Sequence, residues 1–319
     1  MYALRDLLAG LSLPAAAPAS SIGGPGAYAM PAAHLLGGDL PQGHVHVWSG
    51  PPGAGKTAFL LGLLLDAARR NRGTCLATYD LPAPSVALRL LAIESGVPLA
   101  DLDRGQLSAA SAQSVSRARA RLEALPLFVL EARGFPVASL ADRCVRWTRR
   151  IDVLGVDYAE AVVRPAGSPI ADTFRDLSTL AKQRWMAVIA VARTSPLESP
   201  AQGGASAKGA PADRVGWIEA SLDQPAAEAS VVANRHGATR SCRIRLEPSS
   251  GRWLAAEGSG PVLCPSDSKG GQADSKGGQA EAKGSQAEAK GGALDSKGGQ
   301  ADPVEGASGS AAPSRDAPA

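Results

Sequence analysis

The run His44-Val-His-Val-Trp-Ser-Gly-Pro-Pro-Gly-Ala-Gly-Lys-Thr-Ala-Phe-Leu-Leu-Gly-Leu63 sets the terms for the rest of the chain. It reads as a short apolar strand, a glycine-rich turn and an apolar helix. Gly50, Gly55, Lys56 and Thr57 fill the pattern G-x-x-x-x-G-K-[ST], with Gly53 as an additional glycine. Glycines at these positions let backbone N–H groups close around phosphate oxygens with no Cβ in the way. Lys56 can reach the β- and γ-phosphates of a nucleotide, and the Thr57 hydroxyl can ligate Mg²⁺. The helix beginning near Lys56 turns its positive end to the same anion. Gly50, Pro51, Pro52, Gly53, Ala54, Gly55, Lys56, Thr57 and Ala58 are therefore the expected nucleotide-binding segment, with ATP and Mg²⁺ as the ligands.

A loop of this kind needs a strand-and-helix alternation around it, and the chain supplies one. Residues 74–79 read as a strand ending in Asp80, and a helix starts at Pro84 with Val86, Leu90 and Ile93 on one face and Gly96 as its stop. Residues 107–124 read as a helix, Leu127–Leu130 as a strand, Val137–Arg149 as a helix and Val153–Asp157 as a strand. Phe174–Trp185 then reads as a helix and Val188–Ala192 as another strand. Strands this apolar have no wet face, so the expectation is a mostly parallel sheet covered by helices on both sides. Ser195 to Arg214 is rich in Ser, Pro, Gly and Ala and reads as a long loop. Ser230–Asn234 and Arg243–Leu246 read as two closing strands around a His236-Gly237 turn. At the front, Met1 to Leu13 can form a turn or two of amphipathic helix, followed by a Pro/Ala/Ser/Gly linker.

The end of the chain is of another kind. Residues 265–319 contain no Phe, Trp or Tyr, and from Asp267 they repeat every seven residues in units such as Asp-Ser-Lys-Gly-Gly-Gln-Ala. A heptad seam is excluded, because no apolar pair recurs and every unit carries glycine. Such a segment cannot bury enough apolar surface to offset its ordering entropy, and it reads as a disordered tail. The expected layout is an N-terminal segment and linker over 1–27, one α/β domain over 28–257 and the repeat tail over 258–319. The tail is net acidic, so the front carries more than the chain's formal net charge of +3. That mild basicity is compatible with a polyanion partner. Cys75, Cys144, Cys242 and Cys264 are widely spaced with no C-x-x-C, which speaks against a metal framework or a disulfide scaffold. Cys75 and Cys144, in apolar segments, read as buried small residues. With Arg5 and Asp6 interrupting the N-terminus and no long apolar run, a cytoplasmic protein without a membrane span is expected.

Two acids and one arginine stand out. Asp157 closes an apolar strand, where a carboxylate can support Mg²⁺ beside the glycine loop; Asp152 precedes that strand and would lie at the wrong end of the sheet. Asp80 closes the second strand on the same side and is the candidate to orient or deprotonate an attacking water, unless it only caps the turn before Pro82. Glu160, three residues past Asp157, is an alternative. Arg235 follows a strand beside a glycine turn, which fits a surface cation or a group reaching a neighbouring subunit.

In these stretches the chain resembles the RecA-fold ATPase domain of DnaB-type replicative helicases, with wider similarity to the RecA/KaiC group. The stretches run in the family's order: Gly50-Pro-Pro-Gly-Ala-Gly-Lys-Thr-Ala-Phe59, Ala87-Leu-Arg-Leu-Leu-Ala92 after Tyr79-Asp80-Leu81, Asp157-Tyr158, Phe174–Lys182 with Val188–Ala192, and Asn234-Arg235-His236-Gly237. They cover about residues 28–255. The resemblance implies a RecA-like P-loop NTPase fold in which Lys56 and Thr57 bind phosphates and Mg²⁺ and Asp157 supports the metal. It further implies that Arg235 is a finger acting on a neighbour's nucleotide, and that Lys56, Asp80 and Arg235 are the catalytic set. It implies a homo-oligomer, a hexameric ring holding single-stranded DNA, with Arg164, Lys208 and Arg214 on the loops facing it. The chain departs from the pattern in three places: the family's catalytic Glu falls on Asp80, its phosphate-sensing Gln on Arg193, and the Lys before its finger on Ala233. The family's amino-terminal, primase-contacting domain is expected to be lacking. An ATP-hydrolysing DNA helicase or translocase is the first expectation. The alternatives are a RecA/KaiC-like ATPase without unwinding activity, or a degenerate nucleotide-binding interaction module.

Overall fold

The computed structural model describes residues 1–13, 29–31, 35, 40–145, 150–193, 212–220, 226–237, 239–256 and 262–263 of the chain. The expected tail, the linker and most of the Ser195–Arg214 loop lie outside these residues. The helical elements are α1 (Leu4–Ala9), α2 (Lys56–Arg69), α3 (Ala83–Ser95), α4 (Leu99–Arg104), α5 (Ala109–Glu123), α6 (Val137–Val145) and α7 (Ile170–Arg184). The strands are β1 (Tyr2–Ala3), β2 (Val45–Gly50), β3 (Thr74–Thr78), β4 (Leu127–Glu131), β5 (Val153–Asp157), β6 (Ala187–Arg193), β7 (Arg214–Ala220), β8 (Ala226–Asn234), β9 (Arg240–Glu247), β10 (Arg252–Ala255) and β11 (Val262–Leu263).

The strands form one sheet in the order β1-β4-β3-β5-β6-β2-β7-β8-β9-β10, with β11 on β9. From β4 to β7 the neighbours are parallel, while β1 at one edge and β8 to β10 at the other run antiparallel. The expected parallel sheet is present, extended by an antiparallel meander.

Successive residues of the parallel strands point to opposite faces. On β6, Ala187, Ile189 and Val191 join the core beneath α1, α2, α3 and α5, and Val188, Ala190 and Ala192 join the core beneath α6 and α7. Both faces are thus covered, which is why these strands read as continuous apolar runs rather than as alternating ones. Helix α3 stops at Gly96 in the left-handed region, at φ 74°, as a glycine C-cap allows. The fully buried Glu94 at its end is held by Arg69 of α2 and Arg121 of α5.

Three elements differ from the sequence expectation. Helix α4 and strand β10 were not anticipated, and Arg214, expected at the end of a loop, opens β7 instead. β7 pairs in parallel with β2, and Gly216 makes that approach possible: a Cβ there would lie 2.3 Å from the Trp48 ring. On β10 only Trp253 is fully buried, packing edge-on against Phe59 of α2 at 5.8 Å between ring centroids. Phe59 in turn touches Trp48 of β2 at 4.7 Å. The phosphate-loop strand, its helix and the C-terminal meander are joined through these three rings.

Candidate nucleotide site

The glycine loop leaves the carboxyl end of β2 and enters α2 through Gly55, whose φ of 76° is left-handed; Gly53 is also left-handed, at 79°. A Cβ on Gly55 would lie 2.8 Å from Leu246 and 3.0 Å from the Trp253 ring, so both conformation and space require glycine here. Next to it the structure brings Lys56, Thr57, Asp80 and Asp157 into one cleft of about 400 Å³, shared with Gly53, Gly55, Ala58, Arg89, Tyr158, Leu246, Pro248 and Gly251. The carboxyl ends of β2, β3 and β5 meet there, as parallel sheets arrange their sites.

Lys56 is 5 % exposed, and its Nζ donates to the carbonyls of Gly50 and Pro51, both at 2.8 Å. Burial lowers its pKa, a shift Arg193 reinforces and Glu160 and Asp157 oppose. The ammonium is thus folded onto the loop it would leave to meet a phosphate. The Thr57 hydroxyl lies 3.1 Å and 3.3 Å from the two Asp157 carboxylate oxygens and 3.4 Å from the Tyr158 hydroxyl. Asp157 is 1 % exposed. Burial pushes its carboxyl up to about 6, the Asp80 carboxylate adds to this, and the Thr57 hydrogen bond, Arg89 and Arg193 oppose it. A buried hydroxyl–carboxylate pair at a glycine-loop helix is a donor set that suits a hard divalent cation. Asp157 is joined to Tyr158 by a cis peptide bond.

Asp152, the rejected alternative, does lie at the amino end of β5, where its carboxylate accepts from the Gly73 N–H at 2.9 Å. Asp80 stands in the cleft with its side chain 57 % exposed, 3.7 Å from an Nη of Arg193. That contact is long and open to water, so it constrains the carboxylate weakly. The Arg193 guanidinium lies over the Tyr158 ring, 4.4 Å from its centroid. Glu160 is half-buried, its Oε2 has no hydrogen-bond partner among the described residues, and burial raises its pKa.

Arg235 is not in this cleft. Asn234 pairs with Arg214 at the start of β7, and Arg214 pairs with His46 at the start of β2, so the turn after β8 sits at the amino end of the sheet. Arg235 is exposed there, with its N–H on the Asp213 carbonyl at 2.9 Å. Arg214 is half-buried and donates from Nε to the Asn234 side chain at 3.3 Å. Arg164 donates to Thr173 at 3.1 Å, and Lys208 lies outside the described residues.

Sequence reasoning passed over Arg89 as a site residue. The signal was available, since it is the one cation in the apolar run Val86–Ile93 and sits two helical turns beyond Asp80. The C-terminal wall of the cleft, Leu246, Pro248 and Gly251, carried no such signal.

Residues 34–197, just over half of the chain, match the family model described as DnaB-like helicase C terminal domain. The chain is 22 % identical over 162 residues to the replicative DNA helicase DnaB of Leifsonia xyli subsp. xyli (strain CTCB07), covering 48 % of this chain and 35 % of that protein. It is 22 % identical over 158 residues to the DnaB of Helicobacter pylori (strain ATCC 700392 / 26695), covering 47 % and 32 %. The match thus spans about a third of the length of these relatives. Among solved structures, an isolated ATPase domain superposes with a TM-score of 0.60 at 15 % identity, over 68 % of this chain and 86 % of that one. A DnaB-like replicative helicase, solved in a study of its interactions with primase, superposes with a TM-score of 0.61 at 15 % identity, over 68 % and 60 %. The fold is that of the RecA-like helicase ATPase domains.

Proposed function

Because the chain belongs to the DnaB-like helicase C-terminal domain family, we propose that it is an ATP-hydrolysing motor that moves on single-stranded DNA as a homo-oligomeric ring, a hexamer by resemblance. The observation that carries this reading is the division of the catalytic set between the two ends of one sheet. Lys56, Thr57, Asp80 and Asp157 share a cleft at the carboxyl ends of the strands, and Arg235 stands exposed at the amino ends. An arginine so placed is out of reach of its own cleft and is available to a neighbour's. In this reading residues 28–257 are the motor, 1–27 lead into it and 258–319 are an appended tail. DNA replication in the cytoplasm is the setting; no helix among the described residues is long and apolar enough to cross a membrane.

In the proposed reaction Lys56 leaves the Gly50 and Pro51 carbonyls for the β- and γ-phosphates of ATP. The N–H groups of Gly53 to Thr57 hold the phosphate oxygens. Thr57 and Asp157 would hold Mg²⁺, which when bound neutralises charge on the phosphates. Asp80 orients the attacking water and accepts its proton. Its short side chain and exposed position suit it to act through solvent rather than by direct contact. Arg235 from a neighbouring subunit stabilises the charge that develops on the transferred phosphoryl, an effect worth about 10³–10⁵ in turnover in related chemistry.

The test is steady-state ATP hydrolysis with and without single-stranded DNA. Wild-type turnover should rise with DNA, and Arg235→Ala should remove it while leaving ATP binding intact. Mixing Arg235→Ala with Lys56→Ala protein should restore part of the activity, since mixed rings contain interfaces with both groups. Full turnover in Arg235→Ala, or turnover indifferent to DNA, refutes the motor. A second reading, a nucleotide-gated binding module, is favoured by the Arg193–Asp80 contact and by Ala233 in place of a cation. Tight ATP binding with no turnover under any condition would select it.

A further inference from the structure

At the amino end of the sheet, opposite the nucleotide cleft, three strand lead-ins and turns converge on a second group of polar side chains. His44 precedes β2, Asp213 precedes β7 and His236 follows β8. Each offers one ligand atom, and these atoms lie within 4.8 Å of one another. The His44 and His236 rings are stacked at 4.3 Å between centroids, and His236 Nε2 is 3.0 Å from Asp213 Oδ1. Asp213, 8 % exposed, uses its other oxygen to accept from the Val45 N–H at 2.9 Å, which fixes the orientation of the carboxylate. His44 Nδ1 is buried and has no hydrogen-bond partner among the described residues. His46, on the same side of the strand, is fully buried, and neither of its ring nitrogens has a partner among those residues. Its ring lies 6.5 Å from that of His44. Buried, unpaired imidazole nitrogens cost free energy unless something binds them.

We propose that His44, Asp213 and His236 form a binding site for a divalent transition metal, zinc by ligand preference. Two imidazoles and one carboxylate match a three-ligand zinc set with an open position. Zinc ligand bonds of about 2.0–2.2 Å place ligand atoms closer together than they stand here. The exposed turn carrying His236 can supply that contraction. Magnesium and calcium are disfavoured: they need several oxygen ligands. Here there is one carboxylate, with Arg214 and Lys182 close enough to act on His44. A metal held here cross-links the lead-ins of β2 and β7 to the Asn234-Arg235-His236-Gly237 turn. Asp213 and His236 are the two residues that bracket Arg235, through its N–H and through the chain. The metal site stands on its own geometry; only its consequence for Arg235 rests on the motor reading.

The test is calorimetric titration of Zn²⁺ into chelator-stripped full-length protein at neutral pH. No nucleotide is present, and excess Mg²⁺ occupies the Thr57–Asp157 pair. One equivalent should bind. His44→Ala and His236→Ala should each weaken binding by more than about 100-fold, exceeding the usual effect of losing a residue that only supports a ligand. Circular dichroism should be unchanged in His236→Ala, whose side chain lies on an exposed turn. Co²⁺ in place of zinc should give a four-coordinate visible spectrum without a thiolate charge-transfer band. Absence of binding, binding that survives both histidine variants, or a thiolate band would overturn the proposal. None of these outcomes depends on ATP turnover.

Discussion

Replacing Asp157 by asparagine is expected to make the nucleotide-free protein more stable while removing its metal-dependent nucleotide chemistry. Asp157 is 1 % exposed, and burial raises its pKa from 3.8 to about 6. An acid whose folded pKa is raised binds its proton more tightly folded than unfolded. Stability therefore falls as pH rises through the window between the two values. Below pH 3.8 both states are protonated and the ionisation term vanishes; above pH 6 it is fully present. The difference of about 2 pH units corresponds to about 3 kcal/mol at about 1.36 kcal/mol per unit. At about pH 4.5 the same linkage leaves about 1 kcal/mol. An asparagine at this position can keep the Thr57 hydrogen bond through its side-chain carbonyl and carries no charge to desolvate. The expected result in chemical denaturation without nucleotide is a gain in stability of up to about 3 kcal/mol at about pH 7.5, shrinking to about 1 kcal/mol at about pH 4.5. The same variant should lose Mg²⁺-dependent ATP binding. A variant less stable than wild type at neutral pH, or a stability difference that does not shrink on acidification, would show that the carboxylate is not held at a desolvation cost.

Lys56→Ala removes the two charge-assisted contacts made by Nζ, each of a type worth about 1.5–3 kcal/mol. ATP affinity measured by calorimetry should fall by at least about 100-fold with an unchanged circular dichroism spectrum; normal affinity would refute the site. Trp253→Ala empties the space against Phe59 and Gly55. It should cost about 3–5 kcal/mol of stability and should also weaken ATP binding, although Trp253 touches no expected ligand. A stable variant with normal binding would show that β10 is not part of the phosphate-loop support.

The parts of this molecule that were legible in the sequence are those where the chemistry is local. Gly53, Gly55, Lys56 and Thr57 are consecutive enough for one turn to bring them together, and Asp157 announces itself as a carboxylate ending an apolar strand. The buried parallel strands were legible for a related reason: with helices on both faces, every residue of β6 but the last must be apolar. What escaped notice depends on partners distant in the chain. β7 is a strand because Gly216 admits the Trp48 ring, and no pattern around that glycine says so. β10 exists because Trp253 meets Phe59 from a far earlier helix and Arg252 donates to the carbonyls of Ile93 and Glu94. Arg235 shows the same limit from the other side. Its motif was readable, but only the pairing of β8 with β7 and of β7 with β2 puts it at the far end of the sheet from Lys56. That separation is what turns an arginine in a glycine turn from a surface charge into a group suited to another subunit's nucleotide. It also sets Arg235 next to His236 and Asp213, so the element suited to complete a neighbour's active site is the one this protein can lock or release through its own histidines.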